Sequence, residues 1–201
     1  MRFLTDFADQ AVIIPLVLAI SIALATQGWR RGAIVWLVAV GATFAAMLAL
    51  KVAFLACSPL FWPIDIRSPS GHVAAATIVT GGLAALLSGR AANILPIAAL
   101  AALVIGVSRL VLGAHSLPEV VVGALVGLAG AALLMRLAGP PPRLRFIPLT
   151  LVIVVVTAIF HGFHLPAEAA IRHTAFSAAR FLDVCRPAAA GLPSQTVVGK
   201  S

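Results

Sequence analysis

Two short stretches of this chain place histidine, arginine and small hydroxyl side chains beside flexible backbone. The first is Arg67–His72, which reads Arg-Ser-Pro-Ser-Gly-His, and the second joins Ser108 and Arg109 to His115 and Glu119. The fork of an arginine guanidinium matches two phosphate oxygens. A histidine can transfer a proton or attack an electrophile near neutral pH. These residue types together indicate a site for a phosphate ester.

The first stretch stands at the start of a helix, because a long apolar run follows it. Ser68 or Ser70 can cap that helix, and the free N–H groups of its first turn attract anions. Gly71 lets a phosphate approach the backbone closely, and His72 in the first turn faces the same anion. The alternative is an ordinary helix cap beside a histidine with no role.

The second stretch links the end of one apolar run to the start of the next. Five residues separate Arg109 from His115, and Glu119 lies four residues further on. If the next helix has begun there, Glu119 shares a face with His115. A carboxylate bound to a histidine fixes its tautomer and supports the cation that forms in a reaction. The alternatives are an arginine at the membrane rim and an idle loop histidine.

The amino-acid composition indicates that these motifs belong to a membrane protein. Hydrophobic residues make up 62% of the 201 residues, only 10% are charged, and mean hydropathy is +1.11. Soluble domains carry about a quarter charged residues. The uncharged runs predict an all-α, polytopic bundle of six transmembrane helices. Their expected bounds are 10–27, 33–56, 71–88, 92–112, 117–137 and 146–163.

We expect three parts along the chain. Residues 1–164 form the six-helix membrane domain, and residues 165–186 form an amphipathic helix on the outer interface, because apolar residues repeat there at helical spacing. Residues 187–201 combine proline, glycine and serine without periodicity, which predicts a disordered tail.

The distribution of charge predicts the orientation. With six spans, one face carries arginines and no acid: Arg30, Arg31, Arg90, Arg136, Arg143 and Arg145. The other face carries both motifs and all six acids: Asp6, Asp9, Asp65, Glu119, Glu168 and Asp183. The positive-inside rule places the arginine face in the cytoplasm. We therefore expect an integral protein of a bacterial inner membrane, with its site facing the periplasm.

The remaining polar residues favour simpler interpretations. The net charge of +8 is spread over both faces without a basic stripe, which argues against a nucleic-acid partner and is better explained by insertion and contact with membrane lipids. Cys57 and Cys185 fall on the outward face, where a disulfide can form, but we favour two small buried apolar residues. His161, His164 and His173 lack the acid or cysteine that would complete a metal set, so we interpret them as interfacial polar residues.

Taken together, the motifs resemble the type-2 phosphatidic acid phosphatase superfamily, which includes membrane lipid phosphatases and is related to vanadium haloperoxidases. Its signature is Lys-x6-Arg-Pro, then Pro-Ser-Gly-His, then Ser-Arg-x5-His-x3-Asp. The second part is complete at residues 69–72. The third matches at 108–119, with Glu119 in place of aspartate. In the first part, Lys51 is followed after six residues by Ser58 and proline, so the arginine is missing.

The resemblance implies a role for each matching residue. His115 is the expected nucleophile that forms a phosphohistidine, oriented by Glu119, and His72 is the expected general acid and then base. The groups expected to hold phosphoryl oxygens are Lys51, Ser70, Gly71 and Arg109. We add Arg67 as a stand-in for the missing arginine; its alternative role is an interfacial anchor. No metal or other cofactor is implied, because cationic side chains take its place.

The expected activity is hydrolysis of a phosphomonoester or pyrophosphate of a lipid. Candidate substrates are undecaprenyl pyrophosphate, phosphatidic acid, phosphatidylglycerophosphate and lipid A phosphates, and the sequence leaves the choice and the oligomeric state open. The main alternative is a catalytically impaired lipid-phosphate-binding or structural protein of the same fold. A vanadate-dependent peroxidase fits less well because those relatives are largely soluble, and a transporter because no span carries a charge pair at mid-membrane.

Overall fold

A computed structural model describes residues 2–57, 66–88, 91–165 and 167–179 of the chain. These residues form eight α-helices: α1 (Arg2–Asp6), α2 (Gln10–Thr26), α3 (Arg30–Ala56), α4 (Gly71–Ser88), α5 (Ala91–Val111), α6 (Leu117–Ala138), α7 (Phe146–Phe160) and α8 (Ala167–Ala179). No strand occurs among the described residues. The all-α prediction is therefore confirmed for this part of the chain.

The six predicted apolar helices correspond to α2–α7, with bounds that differ by three residues or fewer. Three of these helices contain segments that are long and apolar enough to cross a membrane: Arg30–Ala56, Ile94–Val111 and Leu117–Ala138. The other three apolar segments are shorter: Gln10–Thr26, Gly71–Leu87 and Phe146–Phe160. The number of six transmembrane helices therefore stays a prediction.

Helix α4 lies at the centre of the bundle and packs against α3, α5 and α6, while α2 packs against α3 and α7. Glycines of α6 permit these close approaches. Gly123 lies against the carbonyl oxygen of Ser70, and Gly127 lies against Thr77 of α4. Small residues at helix contacts let backbones approach within a membrane, where lipid supplies no hydrophobic drive between helices. The packing of α6 on α4 thus fixes the position of the Pro-Ser-Gly-His segment.

The core between α2 and α3 is centred on Trp36, whose side chain is fully buried. Its indole N–H donates to the carbonyl oxygen of Val17 at 3.0 Å, so the polar atom of this large side chain has a partner in the apolar interior. This contact fixes α3, and with it Lys51 near the carboxyl end of that helix.

The segments outside the apolar helices pack onto the ends of the bundle. At one end, Arg31 donates to the carbonyl oxygen of Leu137 at 3.0 Å, and the Arg145 N–H donates to Gln27 Oε1 at 2.6 Å. At the other end, which we call the site end, α1 contacts α5 and α8 packs against α3. Helix α8 falls within the predicted segment 165–186, and the predicted tail at 187–201 lies outside the described residues.

Cys57 is disulfide-bonded. The preference for a small buried apolar cysteine is therefore wrong at this position. The residue follows the last turn of α3 at the site end and is only partly buried, whereas free cysteines are usually fully buried. Cys185 lies outside the described residues.

Candidate active site

The two histidine motifs meet at the site end of the bundle. His72 and His115 both lie within electrostatic range of Lys51 and Arg109. Lys51 belongs to the end of α3, His72 to the first turn of α4, and Arg109 to the last turn of α5. His115 lies in the connection from α5 to α6. Four separate elements thus bring together side chains from all three parts of the sequence signature.

Glu119 connects the two motifs. Its Oε1 accepts hydrogen bonds from the backbone N–H groups of Arg67 at 2.8 Å and Ser68 at 2.7 Å. Its Oε2 accepts from His115 Nδ1 at 2.7 Å and from the Ser116 N–H at 3.2 Å. The residue is only 6% exposed, and these four donors satisfy its carboxylate in the buried position.

The contact with Glu119 determines the tautomer of His115. An ionised carboxylate only accepts hydrogen bonds, so the proton of a neutral His115 is assigned to Nδ1. The other ring nitrogen, Nε2, then carries a lone pair. Burial lowers the pKa of His115 from its ordinary value, and the hydrogen bond to Glu119 opposes part of that effect. The imidazole is therefore neutral at pH 7, which is the form a nucleophile requires.

The segment that leads into α4 is held from both sides. Lys51 is buried, and its Nζ donates to Ser68 Oγ at 3.1 Å. The backbone N–H of Ser70 donates to the carbonyl oxygen of Glu119 at 3.0 Å. Ser70 Oγ is buried and has no hydrogen-bond partner among the residues that the structure describes. A phosphate oxygen would satisfy this hydroxyl, whose position next to the first turn of α4 suits an anion.

Two of the cavities at the site end lie next to each other. One, of about 440 Å³, is lined by His72 and Arg109 together with Asp9, His164 and other residues of the N-terminal segment and the α5–α6 connection. A second, of about 370 Å³, is lined by His115 and Glu119 together with Arg67, Arg172 and the neighbouring residues of the α5–α6 connection. Ala114 borders both cavities, so they adjoin each other.

Arg67 reaches only one of these cavities. Its side chain is exposed and lines the cavity of His115, whereas His72 and Arg109 line the other cavity. A stand-in for the missing arginine would be expected to reach His72, Arg109 and His115 together, so the role of Arg67 as a substitute phosphate ligand stays a prediction. Ser58, which stands in place of the missing arginine, lies outside the described residues.

Two residues at this site were absent from the sequence prediction. Asp9, from the turn before α2, approaches His72, and Arg172 of α8 lines the cavity of His115. In the sequence, an acid directly before an apolar run indicates a helix cap at Asp9. It does not indicate a contact with His72, which lies 63 positions further along the chain. Arg172 belongs to the segment predicted as an interfacial helix, and nothing in the sequence spacing links it to His115.

The three other histidines, His161, His164 and His173, have different surroundings. His161 contacts the rings of Phe3 and Phe7, His173 is exposed on α8, and His164 approaches Asp6 and Asp9. Within the described ranges, no three histidine, cysteine or acidic side chains form a group that could hold a metal ion.

Comparison with known proteins identifies the family. The model of the PAP2 superfamily matches residues 33–141, which include Lys51, Ser70–His72, Arg109, His115 and Glu119. The chain belongs to this superfamily. Most PAP2 members are phosphatases, so membership supports a phosphoric ester hydrolase, and together with the apolar helices it indicates a membrane protein.

A relative from Klebsiella pneumoniae, named "Uncharacterized 22.5 kDa protein in cps region", is 34% identical over 147 residues, which cover 70% of each chain. No solved structure gives a significant match. Neither comparison identifies a substrate for this PAP2 protein.

Proposed function

We propose that this protein is a lipid phosphate phosphatase that works without a metal, at the outer face of the membrane, through a phosphohistidine on His115. The observation that carries the proposal is the 2.7 Å contact between His115 Nδ1 and a Glu119 carboxylate that is itself held by three backbone N–H groups. This arrangement fixes the ring and leaves Nε2 as the nucleophile.

In the first step, Nε2 of His115 attacks phosphorus, a P–N bond forms, and the P–O bond to the leaving group breaks. His72 gives its proton to the departing oxygen, which leaves as a lipid alcohol or a lipid monophosphate. The Glu119 carboxylate supports the positive charge that develops on the His115 ring. General acid catalysis of this kind contributes roughly 10²–10⁴-fold to the rate.

In the second step, a water oxygen attacks the phosphorus of the phosphohistidine. The P–N bond breaks, its electron pair returns to Nε2, and His72 takes the proton of the water. Inorganic phosphate then leaves, and both histidines regain their starting states. In this scheme the cationic groups of Lys51 and Arg109, with Ser70 Oγ, the backbone at Gly71 and the exposed Arg67, hold the phosphoryl oxygens and balance their charge.

An apolar cavity supports a lipid as the substrate. It has a volume of about 430 Å³ and lies among residues of α2, α4, α5 and α7, lined almost wholly by aliphatic side chains. Ala8 borders this cavity and also a small cavity whose lining includes Lys51, Gly71 and His72. A hydrocarbon chain in the apolar cavity would therefore leave its head group next to the phosphate-binding residues.

The test is phosphate release by the detergent-solubilised full chain over a panel of lipid phosphates and pyrophosphates. We expect His115→Ala to lose at least about a thousandfold in kcat, because the covalent step disappears. His173→Ala, which changes an exposed histidine of α8, is the matched control and should retain wild-type turnover. The acid limb of kcat/KM should lie below pH 6.5, the ordinary pKa of histidine, because burial lowers the pKa of His115.

Two further measurements address the mechanism. Activity should survive a chelator, and vanadate should inhibit by resembling the transition state. Near wild-type turnover in His115→Ala, or loss of activity on chelation with recovery on adding a divalent ion, would overturn the phosphohistidine mechanism.

A catalytically impaired lipid-phosphate-binding protein is the second candidate, and the presence of Ser58 and Glu119 at signature positions favours it. Saturable binding of a lipid phosphate by wild-type protein, without phosphate release from any member of the panel, would establish this alternative.

A further inference from the structure

The charged groups that face His72 come from four different parts of the chain. Arg109 of α5, Lys51 of α3 and His115 of the α5–α6 connection are basic, and Asp9 is the acid among these neighbours. Beyond Asp9 lie His164 and Asp6, both at the same end of the bundle. A nearby negative charge favours the protonated form of a histidine that must deliver a proton among cations.

Asp9 is placed to supply that charge. It is only 8% exposed, and its Oδ2 lies 3.7 Å from His72 Nε2. The separation is an ion-pair distance rather than a hydrogen bond, and such contacts often tighten only when substrate is bound. On its other side, Oδ2 lies 3.5 Å from Nδ1 of His164, whose side chain is 62% exposed.

The two carboxylate oxygens of Asp9 have different partners. Oδ1 accepts from the Ala11 N–H at 2.8 Å and from the Leu165 N–H at 3.4 Å, so it caps α2 and secures the segment after α7. Oδ2 takes no part in the cap and faces the two histidines. A helix cap alone explains Oδ1 but not the direction of Oδ2 or the burial of a full negative charge.

Asp9 and His164 also lie outside residues 33–141, the range that matches the PAP2 family model. The contact with His72 therefore comes from a residue outside the matched region, and that residue is itself approached by His164.

We propose that Asp9 is a positioning residue for His72, holding its ring toward the leaving group and supporting its protonated form, while His164 shares the same carboxylate oxygen. The proposal rests on the proposed function, because it assigns His72 as the proton donor. It predicts that Asp9 matters most when the leaving group needs a proton, because Asp9 supports the protonated form of His72 that acts in the first step, whereas the second step uses the neutral ring.

The test compares Asp9→Asn with Asp6→Asn and wild type on two substrates. The asparagine keeps the size of the side chain and serves as an equally good cap, so α2 should stay intact while the charge is lost. Asp6→Asn is the matched control, since Asp6 approaches His164 at 3.9 Å and not His72. One substrate is a lipid alkyl phosphate with a poor leaving group, and the other is an aryl phosphate that releases nitrophenolate without protonation.

We expect Asp9→Asn to lower kcat on the alkyl phosphate by about tenfold or more, with KM changed by less than about threefold. On the nitrophenyl ester it should stay within about threefold of wild type. The alkaline limb of the pH profile of kcat should move to lower pH in Asp9→Asn only, because the neighbouring cations are then unopposed.

Equal activity of Asp9→Asn and wild type on both substrates would overturn the proposal. An equal loss on both substrates together with a lower Tm would also overturn it, since Asp9 would then be a structural cap alone. Absence of turnover in wild type and Asp6→Asn alike would overturn the proposed function itself, and this inference with it.

Discussion

At the residue scale, the departure from the family signature at Glu119 has a geometric reason in this chain. One oxygen of its carboxylate holds two N–H groups of the segment before α4, and the other holds His115 and the start of α6. An aspartate is shorter by one C–C bond, about 1.5 Å. It could orient His115 or reach the segment at Arg67 and Ser68, but not both without movement of the backbone.

Glu119→Asp should therefore reduce both activity and stability. We expect kcat to fall by about 10–100-fold, the usual cost of losing a group that orients a reacting histidine. Tm in detergent should fall as well, because a shorter carboxylate leaves buried N–H groups without an acceptor. Glu119→Gln is the companion variant, since it keeps the length and removes the charge. Wild-type kcat and Tm in Glu119→Asp would contradict the bridging role.

At the element scale, the position of the phosphate-binding segment depends on how closely α6 approaches α4. A side chain at Gly123 would collide with the carbonyl oxygen of Ser70, and a Cβ at Gly127 would lie 2.5 Å from Thr77 Cβ. Backbone atoms cannot yield as a flexible side chain can, so added volume at Gly123 must move the segment that carries Ser70 and His72.

Gly123→Ala should accordingly destabilise the bundle and reduce phosphate release. Overpacking of this kind costs about 1–3 kcal/mol, which outweighs the roughly 0.5–1 kcal/mol that alanine contributes to a helix relative to glycine. Gly41→Ala is the matched control, because its Cβ on the exposed face of α3 would meet nothing within 4 Å. Thermal unfolding and kcat would be measured for both variants. A Gly123→Ala protein as stable and active as Gly41→Ala would contradict the close packing.

The elements themselves were largely predictable, whereas their contacts were not. Uncharged runs ending at glycine, proline or arginine predicted α2–α7 to within three residues. Apolar helices exclude charged residues along their length, and this pattern can be read directly from the sequence. The pair His115 and Glu119 was also predictable, since four residues of separation suffice. The approach of Asp9 to His72 and the disulfide bond of Cys57 depend on how distant segments fold together, which spacing does not encode.

At the scale of the whole molecule, the two ends of the bundle differ in charge. The described site end gathers acids with the histidines, while the opposite end carries Arg31, Arg136 and the segment at 143–145. A membrane protein places its arginine-rich loops in the cytoplasm. We therefore predict that the proposed phosphatase site at the acidic end meets lipids of the outer leaflet and releases phosphate into the periplasm.

Cysteine labelling in intact cells tests this orientation. Ala114→Cys places a thiol in the exposed α5–α6 connection beside His115, and Pro142→Cys places one in the exposed connection before α7. We expect an impermeant maleimide to label the first variant in intact cells and the second only after the membrane is permeabilised. The parent protein is the control for background labelling of its own cysteines. The reverse pattern would put the site in the cytoplasm. Labelling of both positions in intact cells would mean that α6 does not cross the membrane between them. Only α6 lies between the two positions, so opposite accessibility at Ala114 and Pro142 would show that this helix crosses the membrane.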